Sequence, residues 1–596
     1  MNEEIKLPLF GLKEMWPFVR KYKAMVIRMI ILGFLVSSVD AAWALINRYS
    51  IDHFVGGNTL DGLGYLVLFA LTIIILQVLV TYRNVRDCSR LELYLNRDMR
   101  NAAFAHLQKM SLSYYNTNSV GYIHARVMSD AGKIGDLIAW RLMDVVWNGS
   151  YTLIAVVIMF LMDVRLAVIV TAVLLAASCF IVIFQKKLTE DNRLVREINS
   201  VITGDINEGI TGARSIKNLV CEKTMSDAFK ANTLYMKQKS IRTAHHAALF
   251  GSTVSLMTCV SLALVLYNGG QMHHDGVMKI GVLSVFMTYA LGLLEPVQEI
   301  VNTFASLFAT QVNIERFTRL VRTGSEVFDS EEVIEKYGDS FDPKYENWEK
   351  MHGDVEFSDV TFKYPDGDEL VLEHFNLKIK KGEKVAIVGE TGAGKTTLVN
   401  LVCRFFEPTE GVVLIDGKDI RSRSLKWLHS NIGYVLQTPH LFSGSLRENL
   451  RYGKPDATDE EIRSALRTVS ALGIMERLEG GLDADLGEGG DRLSMGEKQL
   501  FSIARAVLSD PAILVLDEAT SSIDTLTEKA VTDAIDIASE GRTTFIIAHR
   551  LSTVVNADVI LVVDEGKIVE RGNHAQLMRQ KGVYYSLYMK QFEENS

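Results

Sequence analysis

The sequence predicts a multidomain membrane protein: an all-α domain of six transmembrane helices with long cytoplasmic extensions, then an α/β domain built on a phosphate loop. Three observations carry this. Long uncharged apolar runs all fall before about residue 310 of 596. Residues 389–397 read Gly-Glu-Thr-Gly-Ala-Gly-Lys-Thr-Thr directly after the apolar run Val385-Ala386-Ile387-Val388. Between the two halves, from Arg322 to His352, the apolar runs stop and the chain turns acidic. A chain of this length needs more than one core.

The runs Gly62–Tyr82, Val145–Met162, Leu166–Gln185 and Thr243–His274 contain no Lys, Arg, Asp or Glu. Each approaches or exceeds the ~20 residues that cross a ~30 Å hydrocarbon core. Two weaker candidates flank them: Ala24–Asn47, interrupted by Arg28 and Asp40, and Ile280–Leu294, which ends at Glu295-Pro296. Six spans are therefore expected, at about 24–47, 62–82, 137–162, 164–188, 243–268 and 279–310. These lie in a membrane domain over 1–321, with a linker at 322–352 and the second domain at 353–596.

Charge sets the orientation. Lys13, Arg20, Lys21 and Lys23 precede the first span, and the long segments 83–144 and 186–242 are rich in Lys and Arg. The segment Ile51–Gly62 carries Asp52 and Asp61 and no Lys or Arg. Positive charge stays inside, so both termini, both long segments and the second domain are expected on the cytoplasmic side. The polar N-terminus shows no cleavable signal peptide. Within the two long segments, Arg83–Ser111 and Lys186–Arg242 are dense in helix formers and free of proline, so the spans should run on into the cytoplasm. They would turn at polar breaks near Ser113–Asn118 and Gly209–Arg214, tips able to touch another domain. Asp40 and Glu295 either face a substrate cavity, since charge facing lipid costs at least ~2.5 kcal/mol, or snorkel or pair between helices. The net charge of -9 leaves no electrostatic footprint for nucleic acid.

In the phosphate loop, Gly389, Gly392 and Gly394 let the backbone turn its N–H groups inward on phosphate oxygens. Lys395 can reach the β- and γ-phosphates, and the Thr396 hydroxyl can ligate Mg²⁺. The following helix adds its positive end. The run Ala512–Leu516 reads as a buried parallel strand ending in Asp517-Glu518. Asp517 is placed to hold Mg²⁺, and Glu518, pointing differently, to polarise an attacking water. The alternative is a pair of carboxylates capping the next helix.

With these motifs in order, the chain resembles an ATP-binding cassette (ABC) exporter half-transporter of the multidrug and lipid-exporting kind, over nearly its whole length. Tyr364 sits where the family stacks adenine. The loop residues Gly389, Glu390, Thr391, Gly392, Ala393, Gly394, Lys395, Thr396 and Thr397 match its nucleotide site, and Gln437 matches the glutamine that senses Mg²⁺ and the membrane domain. Leu493-Ser494-Met495-Gly496-Glu497 holds the signature position, Asp524 the loop crossing between two cassettes, and His549 the switch histidine. Gly487-Glu488-Gly489-Gly490 resembles an exporter contact to a partner's coupling loops, or is a flexible turn.

The resemblance implies ATP and Mg²⁺ as cofactors, Glu518, His549 and Gln437 as the hydrolytic set, and Thr396, Gln437 and Asp517 around Mg²⁺. It also implies transport of a hydrophobic or amphipathic drug, lipid or peptide by alternating access. The signature closes over ATP held by another cassette, so a chain with one cassette needs a second half-transporter. Met495 and Glu497 depart from the usual Leu-Ser-Gly-Gly-Gln. Bulk at Met495 and an anion at Glu497 are expected to weaken this signature, which favours a different second chain over a second copy.

Overall fold

The computed structural model describes residues 11–365, 367–517, 525–548 and 554–594. The described chain divides into two compact units. The first takes Met1–His106 and Gly121–Thr323, the second Leu107–Val120 and Gly324–Ser596.

The first unit holds six helices long and apolar enough to cross a membrane: α1 (Lys23–Val55), α2 (Leu63–Leu107), α3 (Val120–Met162), α4 (Val164–Thr211), α5 (Glu222–His274) and α6 (Ile280–Arg322). At 48 and 53 residues, α4 and α5 extend about 70 and 80 Å, more than twice a ~30 Å hydrocarbon core. The apolar runs give the spans, and the helix-forming, proline-free continuations keep each helix going well past the bilayer. Packing centres on Phe286, Tyr289, Leu166, Val170, Ala155 and Met159 of α3, α4 and α6, all buried. Elsewhere the spans present apolar side chains outward, as Leu68, Ile75, Leu76 and Leu79 of α2 do. That is a surface made for lipid or for another chain rather than for water. Inside α6 the ladder is interrupted at Leu293. Pro296 has no N–H and its ring crowds the carbonyl four residues back, at Gly292.

The second unit contains two sheets. A four-stranded antiparallel sheet runs in the order β2-β1-β4-β5, from β1 (Val355–Phe362), β2 (Leu372–Ile379), β4 (Glu410–Ile415) and β5 (Lys418–Asp419). A six-stranded sheet runs β10-β9-β3-β8-β7-β6, from β3 (Lys384–Val388), β6 (Ile432–Val435), β7 (Ile513–Asp517), β8 (Thr543–Ile547), β9 (Val559–Asp564) and β10 (Lys567–Gly572). Its first five strands from β6 to β9 are parallel, and β10 returns antiparallel along β9. Burial on both faces explains their continuous apolar runs. Val385 and Ile387 enter one core with Trp427, while Ala386 and Val388 enter the other with Leu500 and Phe501.

The break at Ser113–Asn118 is not an open turn. Leu112–Thr117 is a short helix, and its segment belongs to the second unit, where Lys109 Nζ lies 2.8 Å from Asp339 Oδ2. A cavity of about 390 Å³ in this unit is lined by Leu112, Tyr115, Phe328, Arg404 and His429 among others. The other break, Gly209–Arg214, narrows to a one-residue interruption at Gly212 between helices and lies in the first unit.

Candidate functional site

Parallel strands put their carboxyl ends on one edge, and in an open α/β sheet that edge is where ligands bind. The strand β3 ends at Val388 and enters the phosphate loop; β7, two strands away, ends at Asp517; beyond it β6 ends at Val435, two residues before Gln437. One edge thus gathers the loop 389–397, Asp517 and Gln437. Glu518, Asp524 and His549 lie outside the described residues.

The loop's shape needs its glycines. Gly389, Gly392 and Gly394 take φ of 155°, 90° and 98°, and a Cβ on Gly389 would stand 2.1 Å from the Val563 carbonyl oxygen. Gly394 is the N-cap of α7 (Lys395–Val402), so the first free N–H groups of that helix face the loop. Lys395 is buried, and its Nζ donates to the carbonyls of Gly389 and Glu390, each at 2.8 Å, which holds the ammonium across the mouth of the loop. Thr396 is exposed beside it, whereas Thr397 is buried and shares a 2.9 Å hydrogen bond with the Tyr364 hydroxyl. Tyr364 meets Phe362 and Phe406 edge to face, at 5.0 and 5.1 Å between ring centres. Its phenol is thereby tied to the phosphate-loop helix, a link absent from any motif.

Tyr434 of β6 lies beside Asp517. Burial first, and then that carboxylate, push the phenol well above its ordinary range, so it stays protonated as a donor to Asp517. Thr396, Asp517 and Gln437 offer only hard oxygen donors, which suits Mg²⁺. Among the described residues no group of three or more His, Cys, Asp or Glu gathers.

The signature residues open α8 (Met495–Leu508), where the Glu497 carboxylate has partners within the chain. Ser494 is the N-cap; its Oγ accepts from the Glu497 N–H at 3.3 Å, and Glu497 Oε2 accepts from the Ser494 N–H at 3.0 Å. This reciprocal box accepts Glu or Gln at the third helical position equally. The other oxygen, Oε1, takes a hydrogen bond from Arg477 Nη2 at 2.8 Å. Glu497 is therefore not a free anion facing outward, because both oxygens are engaged and its charge is paired. Arg477 ends a short helix, Leu472–Arg477, twenty residues upstream, and nothing in the sequence flags it. Met495 remains 40% exposed. Gly487, Gly489 and Gly490 all take positive φ, the geometry of a tight turn that glycine alone adopts without strain.

In the first unit, Asp40 is paired across helices: Gln77 Nε2 of α2 donates to Oδ1 at 2.5 Å, and Trp147 Nε1 of α3 to Oδ2 at 3.1 Å. Glu295 is exposed beside buried Pro296, and the structure does not bring it together with Asp40 in any hydrogen bond.

A family model for the ABC transporter transmembrane region matches residues 26–297, and one for the ABC transporter matches 372–521. An uncharacterized ABC transporter ATP-binding protein of Bacillus subtilis is 33% identical over 593 residues, 98% of this chain and 94% of that one. The chain belongs to the ABC transporter family. A probable multidrug resistance ABC transporter ATP-binding/permease protein of the same organism is 38% identical over 493 residues, 82% of this chain and 71% of that one. An ATP-dependent lipid A-core flippase of Desulfotalea psychrophila is 34% identical over 495 residues, 83% and 84% of the two chains. This ABC half-transporter is an ATPase and exporter subunit, a multi-pass protein of the bacterial plasma membrane that binds nucleotide and works as a dimer.

Proposed function

We propose that this half-transporter exports a hydrophobic or amphipathic small molecule or lipid from the cytoplasm or inner leaflet, driven by ATP at the edge of the six-stranded sheet. The observation that carries the reading is the meeting of the phosphate loop, Asp517 and Gln437 on one sheet edge in a chain with six spans. Two similar proteins bear names of a multidrug resistance transporter and a lipid flippase, and both kinds of cargo are apolar or amphipathic.

In the proposed cycle, Tyr364 stacks on adenine, the loop from Gly389 to Thr397 cradles the phosphates, and Lys395 turns its ammonium from loop carbonyls to phosphate oxygens. Glu518 accepts a proton from the attacking water, with His549 and Gln437 positioning the γ-phosphate end. Thr396, Asp517 and Gln437 would hold Mg²⁺, which supplies charge neutralisation at the phosphates. Ser494 and Gly496 close over ATP on the partner cassette, and Asp524 lies in the crossing loop. The partner is a second half-transporter. A different chain is favoured over a second copy because Met495 puts bulk where the partner's phosphate must approach backbone; Glu497, paired by Arg477, no longer argues for it.

The test is ATPase of the purified full-length chain, alone and with a co-expressed second half, in lipid nanodiscs with candidate amphiphiles. Stimulated hydrolysis that Lys395→Ala abolishes supports the reading. Hydrolysis indifferent to every amphiphile, without ATP-driven transport in vesicles, contradicts it. A stable, fully active homodimer overturns the preference for a different partner.

A further inference from the structure

Basic residues are scarce on the outer side of this protein. The outer segments 48–62, 162–165 and 268–279 hold three Lys or Arg, namely Arg48, Arg165 and Lys279, as expected where positive charge is kept inside. Two of the three line one cavity. Leu45, Arg48, Tyr49, Asp52 and His53 stand three or four residues apart and share one face of the outer end of α1. With Lys279, the residue before α6, they line a cavity of about 490 Å³, within the ~300–1,000 Å³ of small-molecule sites. A helix cap brings Lys279 to that face. The N-cap Lys279 makes no side-chain bond to the first turn of α6; Asp52 Oδ1 accepts from the Gly281 N–H instead, at 2.8 Å, and satisfies one of the free donors of a helix start. Glycine is needed there, since a Cβ on Gly281 would stand 2.6 Å from the Asp52 carboxyl carbon and 2.7 Å from the Arg48 carbonyl oxygen.

The cations of the cavity are under-used. Arg48 Nε lies 3.6 Å from Asp52 Oδ2, beyond hydrogen-bond length, and among the described residues the Arg48 side chain makes no hydrogen bond. Lys279 has neither a side-chain hydrogen bond nor an ion pair among them. Two cations thus face one carboxylate that the Gly281 N–H already half engages. The surplus is positive, and an ammonium or metal ion would only add to it. A phosphate suits the set, because its several acceptor oxygens can take the Arg48 fork and the Lys279 ammonium together. Asp52 Oδ2, which has no hydrogen bond among the described residues, can accept from a neighbouring hydroxyl. The apolar lining points to what carries the phosphate. Leu45 lies about one turn deeper than Arg48, Tyr49 is 53% exposed with His53 stacked on it at 5.3 Å, and Ile280 beside Lys279 is 46% exposed. Charge at the outer edge with apolar side chains below it matches a headgroup over its acyl chains rather than a free ion in water.

We propose that this cavity is an anionic-lipid site facing the outer leaflet, in which Arg48 and Lys279 hold the phosphate of a glycerophospholipid and Asp52 accepts from a headgroup hydroxyl. The phosphate bridges α1 to α6 at their outer ends, beside the Asp52 cap that already joins them. The site depends on neither nucleotide nor cargo.

The full-length chain, purified as its dimer in a neutral maltoside detergent, is titrated with phosphatidylglycerol or phosphatidylcholine, each with and without excess inorganic phosphate. Native mass spectrometry counts the bound lipids and gives their affinities. The unaltered protein should carry one more phosphatidylglycerol per chain than Arg48→Gln with Lys279→Gln, whose affinity at this site should fall by about tenfold or more as two charge-assisted contacts are lost. Lys279→Arg, which keeps the charge, should stay within about threefold of the unaltered protein. Removing a cytoplasmic basic pair, Lys186→Gln with Lys187→Gln, should leave the difference in place. Lys279 is exposed, so Lys279→Gln alone carries the same test, with a smaller fall, if the double variant does not elute as a dimer. Equal phosphatidylglycerol counts and affinities with and without the two cations, or a lost site that had taken phosphatidylcholine equally well, overturns the proposal. Displacement of the lipid by inorganic phosphate would assign the cavity to a free anion and overturn it too.

Discussion

Glu497 is the departure from the family signature whose effect the structure changes most. An unpaired charge ~8 Å from a phosphate charge, at an effective dielectric of ~20, costs about 2 kcal/mol. That would slow or weaken the signature's action on the partner's ATP by about 30-fold. Glu497→Gln would then accelerate hydrolysis by that factor. The Arg477 contact at 2.8 Å and the two capping bonds lead to a different expectation. Glutamine keeps both capping bonds and loses only a pair whose Arg477 side chain is 70% exposed, worth about 0–1 kcal/mol. Glu497→Gln should therefore change the ATPase rate by no more than about threefold, equivalent to under 1 kcal/mol. Arg477→Ala should do more, because it uncovers the charge, with a drop approaching the 30-fold ceiling; Arg477→Ala with Glu497→Gln should recover most of it. The assay is phosphate release against ATP concentration for the four proteins in nanodiscs, read as a double-mutant cycle. A tenfold or greater acceleration by Glu497→Gln alone, or an Arg477→Ala variant like the unaltered protein, would refute the reasoning.

Further expectations concern stability and the phosphate loop. Gly389→Ala should abolish ATP binding by fluorescent-nucleotide titration, since its Cβ would stand 2.1 Å from the Val563 carbonyl oxygen; binding like the unaltered protein would contradict the described loop. Trp427→Ala should cost about 3–5 kcal/mol and lower the thermal midpoint of the second unit, because the ring is 1% exposed, donates to the Glu349 carbonyl at 2.8 Å and carries Arg423 over its face. The Lys109–Asp339 pair predicts a pH effect. The hydrogen bond from Lys109 is the first cause holding the Asp339 carboxyl below its ordinary 3.8. The pair's contribution is therefore present above that pH and lost as the pH falls below it. Hydrogen exchange in Leu112–Thr117 should quicken on acidification past that point, and Lys109→Ala should remove the added sensitivity.

Much of this protein was legible in its sequence because the strongest signals are local. Uncharged runs near the length of a bilayer, a glycine loop between strand and helix, and an apolar strand ending in Asp517 each declare themselves within about 20 residues. Helix ends were less legible. Hydropathy alone ends the fourth span near 188, since it marks where lipid stops, and it is the proline-free continuation toward the break at Gly209–Arg214 that carries the helix to Thr211. The break at Ser113–Asn118 looked like a turn from its polar residues, yet Leu112–Thr117 winds as a helix with Ser113 buried. Least legible were contacts between distant positions. Arg477 on Glu497, the Tyr364 hydroxyl on Thr397, and Gln77 with Trp147 on Asp40 depend on how helices and strands meet, and residue type alone carries no trace of them. Glu518, Asp524 and His549 lie outside the described residues.

The central claim is that ATP hydrolysed at this sheet edge moves an amphiphile across the membrane, and Glu518→Gln in inside-out vesicles tests it most directly. ATP binding, ATP hydrolysis and uptake of a fluorescent amphiphile are followed in one preparation. The variant should bind ATP with unchanged affinity while hydrolysis and uptake are both lost, since only the proton acceptor is removed. Hydrolysis near the unaltered rate, or uptake that continues without it, would contradict the account.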